Sequence, residues 1–400
     1  MNPNLSKLHA YPFEKLRRLF AGVSPNPAYR EIRLSIGEPR HPVPGFIREA
    51  LTAALDGLEI YPSTSGSPAL RQAIADWLKR RYELDGIDPE TQILPTNGSR
   101  EALFSLAQAV IDVSRGEVPL VVCPNPFYQI YEGAALLAGA VPRFLNTLPE
   151  NGFAFDFDAI SEAEWRRVQL FFVCSPANPT GKTLNLDDWK RIFALADRYG
   201  FVVASDECYS EIFFEEPPLG VLQAARKLGR SFDRLVMLSS LSKRSNVPGM
   251  RSGFVAGDKA ILEPFLLYRT YHGNAMSPAV QAASAAAWAD EAHVAENRAR
   301  YREKFEAVAP ILSSVLEAPM PDASFYFWAR VDRRTPYSDT EFARRLFRDY
   351  NVVVLPGSFL ARTAQSVNPG NGFLRIALVA PLAECLDAAR RIQQFVASSG

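Results

Sequence analysis

The middle of the chain alternates short, almost continuously apolar runs with stretches of helical periodicity. The apolar runs are of strand length and cover 118–124, 170–176, 201–207 and 234–240. Strands that are apolar on both faces and are separated by helices are typical of a mostly parallel sheet covered by helices on both sides. The sequence therefore predicts an α/β fold in which ligands bind at the carboxyl ends of the strands.

The pattern changes after Ser277, where one long helical stretch begins. Beyond it, strand-like runs and amphipathic helices predict a smaller α+β domain, on which the proline-rich N-terminal segment is expected to pack. A chain of 400 residues is also longer than a single core usually supports, about 250–300 residues. We predict a large domain over 46–290 and a small domain built from 1–45 and 291–400.

Composition excludes several classes of function. Lys plus Arg and Asp plus Glu both total 44, so the net charge is zero and no basic face for nucleic acid is expected. No stretch approaches the roughly 18 apolar residues of a membrane span, and the N-terminus lacks the apolar region of a signal peptide. The four cysteines and four histidines do not fall in metal-ligand spacings. We predict a cytoplasmic protein with reduced thiols and no metal.

Asn178 lies in the first of three polar sets that follow the predicted strands. Gly181 and Lys182 suggest a nucleotide-binding P-loop, but that motif needs a glycine where Pro176 stands. Two X-Pro bonds instead predict a rigid turn that holds the Asn178 amide at the sheet edge. Asn-Pro is also a common turn dipeptide with no function of its own.

Asp206 ends the next strand, and Tyr209 follows three residues later. A buried carboxylate is costly unless a cation or hydrogen bonds compensate it. Asp206 is therefore either a helix N-cap or a carboxylate that holds a proton on a ring nitrogen, with Tyr209 as a hydroxyl donor.

Lys243 follows the last apolar run, and Pro248 and Gly249 turn the chain so that Arg251 returns to the same place. Neighbouring cations lower the pKa of a lysine, which makes its free amine available for imine chemistry. The alternative is a set of solvated surface cations, although the flanking runs are those of a buried sheet.

Two further features complete the predicted pocket. Gly98 and Ser99 open a helical pattern, and a helix N-terminus offers free N–H groups and a positive dipole end to a phosphate. Arg375 lies within a late strand, where a guanidinium needs a carboxylate partner and fits a substrate carboxylate.

The order of these motifs resembles the class I and II aminotransferases, which are pyridoxal 5′-phosphate enzymes of fold type I. The shared motifs are NPTG at 178–181, D-x-x-Y at 206–209, S-x-S-K-x-x-x-x-P-G-x-R-x-G at 240–253, and the strand arginine Arg375. The resemblance runs from Ile36 to the C-terminus. It implies a large domain with a mostly parallel sheet between helices, a smaller α+β domain, and pyridoxal phosphate as the cofactor.

The resemblance also implies roles for single residues. Lys243 would bind the cofactor covalently and move the substrate proton, and Asp206 would keep the pyridine nitrogen protonated. Tyr209 and Asn178 would hydrogen-bond the phenolate oxygen. The other implied cofactor-binding residues are Gly98, Ser99, Arg100, Tyr128, Ser240, Ser242 and Arg251. The implied substrate-binding residues are Gly37, Asn178 and Arg375.

Tyr61 would reach the cofactor phosphate of a neighbouring subunit, which implies a homodimer with shared sites. Tyr128 has the alternative of a helix-core residue.

Segments 11–22, 34–44, 125–140 and 240–258 are similar to the succinyldiaminopimelate aminotransferases. This resemblance implies amino transfer between L-glutamate and N-succinyl-2-amino-6-oxopimelate in lysine and diaminopimelate biosynthesis. Candidate partners for the distal acidic group are Arg17, Arg18, Arg100 and Arg269, each with the alternative of a solvated or structural cation.

Rival functions share the same cofactor motifs. They are an aspartate, aromatic or acetylornithine-type aminotransferase and a pyridoxal-phosphate-dependent β-lyase, because the motifs serve the ring and not the substrate side chain. A cofactor-sensing transcription regulator would need a DNA-binding domain before residue 36, and we expect none.

Overall fold

The secondary structure follows the alternation expected from the sequence. The computed structural model describes residues 1–398. Within that range the strands, numbered in chain order, are β1 (Ile32–Arg33), β2 (Ile93–Thr96), β3 (Leu120–Asn125), β4 (Val141–Asn146), β5 (Val168–Cys174), β6 (Val202–Asp206), β7 (Leu235–Ser240), β8 (Gly253–Gly257), β9 (Tyr326–Arg330), β10 (Val352–Val353), β11 (Leu355–Pro356) and β12 (Phe373–Ala377).

The α-helices of the same residues are numbered in the same way. They are α1 (Pro12–Leu19), α2 (Gly45–Ala53), α3 (Pro68–Tyr82), α4 (Ser99–Val110), α5 (Ile130–Leu137), α6 (Glu162–Trp165), α7 (Leu186–Tyr199), α8 (Val221–Lys227), α9 (Leu241–Arg244), α10 (Lys259–His272), α11 (Pro278–Ala289), α12 (Ala292–Ser313), α13 (Asp339–Tyr350) and α14 (Leu382–Ala397).

Seven strands form the central sheet in the order β2-β8-β7-β6-β5-β3-β4. Strand β8 runs antiparallel to both of its neighbours, and the other pairings are parallel. Every residue of β3, β5 and β7 is buried, which explains why these strands read as continuous apolar runs. The predicted mostly parallel sheet is confirmed.

Helices cover both faces of this sheet. Successive residues of β6 point to opposite sides, so Val203 joins one apolar cluster and Ala204 another. The first cluster includes Trp77 of α3 and Trp189 of α7. The second includes Leu103 of α4, together with residues of α5 and α10. The sheet therefore lies between two helical layers, as expected for fold type I.

A smaller α+β lobe is built on the three-stranded antiparallel sheet β11-β12-β9. Helices α12, α13 and α14 contribute to its core. The N-terminal segment joins this lobe, because Ile32 of β1 pairs with Val352 of β10 and Leu16 of α1 packs in a cluster with Trp328. The division at residues 45/46 and 290/291 stays a prediction.

The long helical stretch expected after Ser277 is two helices and not one. Asp290 adopts an extended backbone between α11 and α12. Its carboxylate accepts a hydrogen bond of 3.0 Å from the backbone N–H of His293, so it acts as a cap that starts the second helix. The periodic pattern continues across this break, which is why the prediction of one long helical stretch was wrong.

Among residues 1–398, no helix is both long and apolar enough to cross a membrane. The four cysteines are free and buried.

Candidate active site

A cavity of about 490 Å³ lies at the carboxyl ends of the central strands. Asp206 is the last residue of β6, and Ser240 is the last residue of β7. The opposite wall comes from the N-terminal segment and the smaller lobe, through Gly37 and Arg375. The remaining sequence-predicted residues that line it are Ser99, Arg100, Tyr128, Asn178, Tyr209, Ser242, Lys243 and Arg251. The fold thus brings distant polar sets to one place.

Lys243 lies on the short helix α9, directly after β7. Its Nζ donates a 2.6 Å hydrogen bond to the carbonyl oxygen of Gly37 and lies 5.6 Å from the centre of the Phe325 ring. The pKa of Lys243 is lowered to about 8. Burial is the largest cause, the nearby guanidinium of Arg375 acts in the same direction, and Cys208 opposes the shift. The prediction attributed a lowered pKa to crowding by cations, but desolvation is the larger cause.

Asp206 is buried, and both of its carboxylate oxygens accept hydrogen bonds. The Tyr131 hydroxyl donates to Oδ2 at 2.8 Å, and the backbone N–H of Cys208 donates to Oδ1 at 3.3 Å. Burial raises the pKa of Asp206, whereas these hydrogen bonds and the charge of Lys243 lower it. The carboxylate therefore lies in the cavity wall in a fixed orientation.

Arg375 joins three segments at the opposite wall. Its Nη1 donates to the Asn178 side-chain oxygen at 3.0 Å, and its Nη2 donates to the Ser35 carbonyl at 2.8 Å. Both partners are neutral oxygens, so no protein carboxylate offsets the charge of Arg375, and the substrate carboxylate expected for it stays a prediction. The Nε of Arg375 is buried without a hydrogen-bond partner. A guanidinium held in this way can bind the carboxylate of a ligand.

Tyr209 and Tyr326 meet beside this guanidinium. Their hydroxyl oxygens are 2.9 Å apart, and the Arg375 guanidinium lies 4.5 Å from the centre of the Tyr326 ring. Burial raises the pKa of both phenols, so they are neutral donors at ordinary pH. A side chain at Gly37 would overlap the Tyr326 hydroxyl, which explains the glycine there. Tyr209 thus has a hydroxyl partner in the structure.

The far end of the cavity has the chemistry of an anion site. Gly98 has φ of 85°, and α4 begins at Ser99. A side chain at Gly98 would come within 2.5 Å of the Arg251 guanidinium, so the glycine allows the two segments to approach. The cavity wall also contains the hydroxyls of Ser240 and Ser242. A helix N-terminus, hydroxyls and a guanidinium together favour a phosphate group.

Tyr128 and Arg100 form the side of the cavity. Arg100 Nε donates to the Tyr128 hydroxyl at 2.6 Å. The Tyr128 ring is partly buried and packs edge-on against Tyr131 at 5.8 Å between ring centres. Tyr128 therefore lines the cavity and also packs against Tyr131 of α5. The cofactor-binding and the helix-core interpretations of Tyr128 each describe part of its environment.

Several predicted residues lie outside the cavity lining. Arg17 and Arg18 are exposed on α1 and pair with Glu14. Arg269 is buried and pairs with Glu101, which gives it a structural partner. Among the four arginines suggested for a distal acidic group, Arg100 alone lines the cavity of this chain.

Tyr61 is fully exposed in the single chain and does not line its cavity. Gly98 is not among the lining residues either, but it contacts the lining residue Arg251 as described above.

The sequence did not indicate the polar partners that hold three of the predicted site residues in place. Tyr131 and Cys208 hold Asp206, Ser35 holds Arg375, and Tyr326 holds Tyr209. Tyr131 lies three residues after Tyr128, so one turn of helix could have indicated a second inward-facing aromatic. The sequence carried no comparable signal for Ser35 and Tyr326, because their partners are far away along the chain.

These groups fit pyridoxal phosphate. A buried amine of lowered pKa suits imine formation, a buried carboxylate suits a protonated ring nitrogen, and the cradle at Ser99 and Arg251 suits the phosphate. The fit rests on the donors and charges present in the cavity wall.

Comparisons with known proteins agree with this geometry. The family model described as aminotransferase class I and II matches residues 29–392. An LL-diaminopimelate aminotransferase from Aquifex aeolicus is 33% identical over 369 residues, which cover 91% of each chain. The crystal structure of an aminotransferase from Neisseria meningitidis has a TM-score of 0.95 and 54% identity, covering 99% of this chain and 100% of that one. The structure of a probable N-succinyldiaminopimelate aminotransferase from Thermus thermophilus has a TM-score of 0.84 and 28% identity, covering 96% and 99%. This chain belongs to the class I and II aminotransferases, a family that depends on pyridoxal 5′-phosphate.

Proposed function

We propose that the chain transfers an amino group between L-glutamate and N-succinyl-2-amino-6-oxopimelate, a step of lysine and diaminopimelate biosynthesis. The proposal rests on the observation that Arg375 and Lys243 line the same cavity and that the buried Nε of Arg375 has no hydrogen-bond partner. Both substrates have an α-carboxylate for a guanidinium fork to bind. The similarity to an LL-diaminopimelate aminotransferase of Aquifex aeolicus and to a probable N-succinyldiaminopimelate aminotransferase of Thermus thermophilus supports the diaminopimelate class of substrate.

We assign the cofactor contacts from the positions of the cavity residues. The phosphate would be held by the N-terminus of α4 at Ser99 and by Arg251, with hydroxyls of Ser240 and Ser242 nearby. Asp206 would accept the hydrogen bond of the protonated ring nitrogen. The remaining proposed cofactor contacts are Gly98, Arg100, Tyr128, Asn178 and Tyr209. The phosphate site would anchor the cofactor at one end and Asp206 at the other.

The protein residues then direct the chemistry. Pyridoxal phosphate, when bound, takes up the amino group and the electrons released at the substrate's Cα. The neutral amine of Lys243 removes the proton from Cα, and its lowered pKa keeps that amine available near neutral pH. Arg375, together with Asn178 and the backbone at Gly37, holds the α-carboxylate and thereby orients the Cα–H bond toward Lys243.

We propose a cytoplasmic homodimer in which Tyr61 completes the partner's phosphate site. Tyr61 is fully exposed, and its neighbours Leu58 and Ile60 are also largely exposed. Large apolar side chains exposed side by side are typical of a surface that another protein covers. Mixing a Lys243→Ala chain with a Tyr61→Ala chain tests the arrangement, because shared sites predict that the mixture regains activity absent from each variant alone. Activity no higher than the sum of the two variants would contradict it.

A second candidate function is supported by the name of the Aquifex aeolicus relative. It is a transfer that uses LL-diaminopimelate itself, without the succinyl group. The two candidates share the α-carboxylate contact at Arg375 and differ in whether the distal amine is free and cationic or acylated and neutral.

A panel of amino donors distinguishes the candidates. The purified holoenzyme is given 2-oxoglutarate and, one at a time, N-succinyl-LL-diaminopimelate, LL-diaminopimelate, L-aspartate, L-phenylalanine and N-acetylornithine, and glutamate formation is measured. We expect kcat/KM for the succinylated donor to exceed that of every other donor by about ten-fold or more. A higher value for LL-diaminopimelate would favour the second candidate. With L-cystathionine, which carries a thiolate leaving group at Cβ, formation of pyruvate, ammonia and homocysteine without glutamate would instead indicate a β-lyase.

A further inference from the structure

Behind the cavity wall, three polar side chains form a hydrogen-bond chain that ends on the backbone of Lys243. We call Lys304, His41 and Asn297 the relay. Lys304 and Asn297 lie on α12, and His41 lies in the N-terminal segment shortly after Gly37. None of the three lines the cavity.

The direction of each hydrogen bond in the relay is fixed by chemistry. An ammonium group has three donors and no acceptor, so Lys304 Nζ donates to His41 Nε2 at 2.7 Å and to the carbonyls of Leu378 and Val379 at 3.2 and 3.4 Å. The hydrogen of the imidazole is then on Nδ1, which donates to Asn297 Oδ1 at 2.8 Å. Burial lowers the pKa of His41 to about 4, so the ring is neutral at ordinary pH.

Asn297 uses the whole hydrogen-bonding capacity of its side-chain amide. Its Oδ1 accepts a second hydrogen bond from Asn246 at 2.9 Å. Its Nδ2 donates to the carbonyls of Lys243 at 3.0 Å and Arg244 at 3.3 Å. Asn297 is 3% exposed, so water cannot replace these contacts. Loss of the amide would leave the α9 carbonyls without this donor.

The segment that carries His41 also contacts the reactive groups. The carbonyl of Gly37 accepts the hydrogen bond from Lys243 Nζ at 2.6 Å, and the carbonyl of Ser35 accepts one from Arg375 at 2.8 Å. Leu378, which Lys304 holds, directly follows the strand β12 that bears Arg375. The backbone carbonyl of Lys243 accepts a hydrogen bond from Asn297, which bonds to His41. The amine of Lys243 donates to Gly37, which lies in the same segment as His41.

We propose that Asn297, His41 and Lys304 are positioning residues for amino transfer, which fix the backbone of Lys243 relative to the strand of Arg375. They act through Lys243 and do not touch the reactants. This inference rests on the proposed role of Lys243 as the residue that moves the Cα proton.

The test uses a property of Lys243 that does not require turnover. The rate at which trinitrobenzenesulfonate labels Lys243 in the cofactor-free protein is followed against pH by peptide mass spectrometry, and steady-state kcat and KM are measured on the holoenzyme. The variants are Asn297→Ala, His41→Phe, His41→Asn and Lys304→Met. The matched control is Lys190→Met, which removes an exposed lysine of α7.

We expect Asn297→Ala and Lys304→Met to raise the labelling midpoint of Lys243 by half a pH unit or more, because a loosened lysine is better hydrated. kcat should fall about ten-fold or more while KM changes less than three-fold. His41→Asn keeps a donor toward Asn297 and should retain more activity than His41→Phe, although the phenyl ring better preserves packing on Tyr301, 4.6 Å away between ring centres. Lys190→Met should match the wild type.

The proposal is overturned if Asn297→Ala keeps the wild-type labelling midpoint and kcat. Should that variant fail to fold, as judged by thermal unfolding, the histidine pair decides: equal kcat for His41→Phe and His41→Asn overturns the relay. A Lys243→Ala enzyme that retains activity would refute the proposed function itself. An essential Lys243 combined with silent relay variants would refute the relay alone.

Discussion

The cavity wall formed by the central sheet differs from the wall formed by the N-terminal segment and the smaller lobe. On the sheet side, Asp206 and Lys243 stand at or just beyond the ends of adjacent strands, so the topology alone brings them together. On the other side, Arg375 bonds to Ser35 and Asn178, which are 340 and 197 positions away along the chain. The first wall is set by local chain geometry and carries the groups proposed for the cofactor chemistry. The second depends on long-range packing and carries the group proposed to bind the substrate.

The largest effect is expected on the sheet wall, from Lys243→Ala. Because the variant lacks the amine proposed to move the Cα proton, we expect kcat to fall by about 10⁴-fold or more. Reduction of the holoenzyme with borohydride should then give no cofactor adduct by mass spectrometry, whereas Lys190→Ala should give the wild-type adduct. Normal turnover in Lys243→Ala would remove the basis for assigning the reaction to this wall.

Asp206→Asn tests the same wall with a smaller change. The amide keeps the shape of the side chain but cannot offset the charge of a protonated ring nitrogen, and loss of one partner of a buried charge pair costs about 3–5 kcal/mol. We expect kcat to fall about 10²- to 10⁴-fold with the cofactor still bound. The bound cofactor is measured by absorbance after gel filtration. Unchanged kcat would show that the carboxylate is structural.

Arg375→Ala tests the substrate wall. A charge-assisted hydrogen bond is worth about 1.5–3 kcal/mol, so we expect KM to rise about 10- to 100-fold for both the amino donor and the keto acid. The exposed arginine in Arg344→Ala serves as the control. A rise for only one of the two substrates would mean that Arg375 is not their common carboxylate site and would weaken the contrast between the walls.

The smallest effect is that of pH on cofactor attachment. The pKa of Lys243 is lowered to about 8 by burial, so the reactive neutral amine dominates above that value and declines below it. The rate of cofactor binding to the cofactor-free protein, followed by absorbance, should therefore fall about ten-fold from pH 7 to pH 6 and level off above about pH 9. A rate that keeps rising to about pH 10 would indicate an ordinary, hydrated lysine.

The sequence predicted the sheet wall better than the substrate wall. Asp206 ends one apolar run, Lys243 follows another, and the turn at Pro248 brings Arg251 back to the same place, so their convergence could be derived from the sequence pattern. The partners of Arg375 could not be derived, because alternation within β12 says nothing about which distant segment packs beside it. Tyr326 and Ser35 were missed for the same reason.

Helix boundaries show a second limit of the sequence. Apolar periodicity continues from α11 into α12, and the break depends on the backbone of Asp290 and its cap on His293. One polar residue within a periodic pattern is common in unbroken helices. The cause of the lowered pKa of Lys243 was also misjudged, since sequence shows neighbouring charges more readily than burial.

The reversed direction of β8 limits the length of the loop that carries Arg251, a residue proposed to bind the phosphate. Because β8 starts at the edge where β7 ends, Arg251 arrives beside Ser240 after a short loop, and Gly253 pairs with Ser240 itself. A parallel strand would need a crossover of about a dozen residues or more and would deliver the guanidinium from another direction. Loop length between Lys243 and Arg251 is therefore a sensitive variable, and insertions there should be tolerated far less than in the other connections of the sheet.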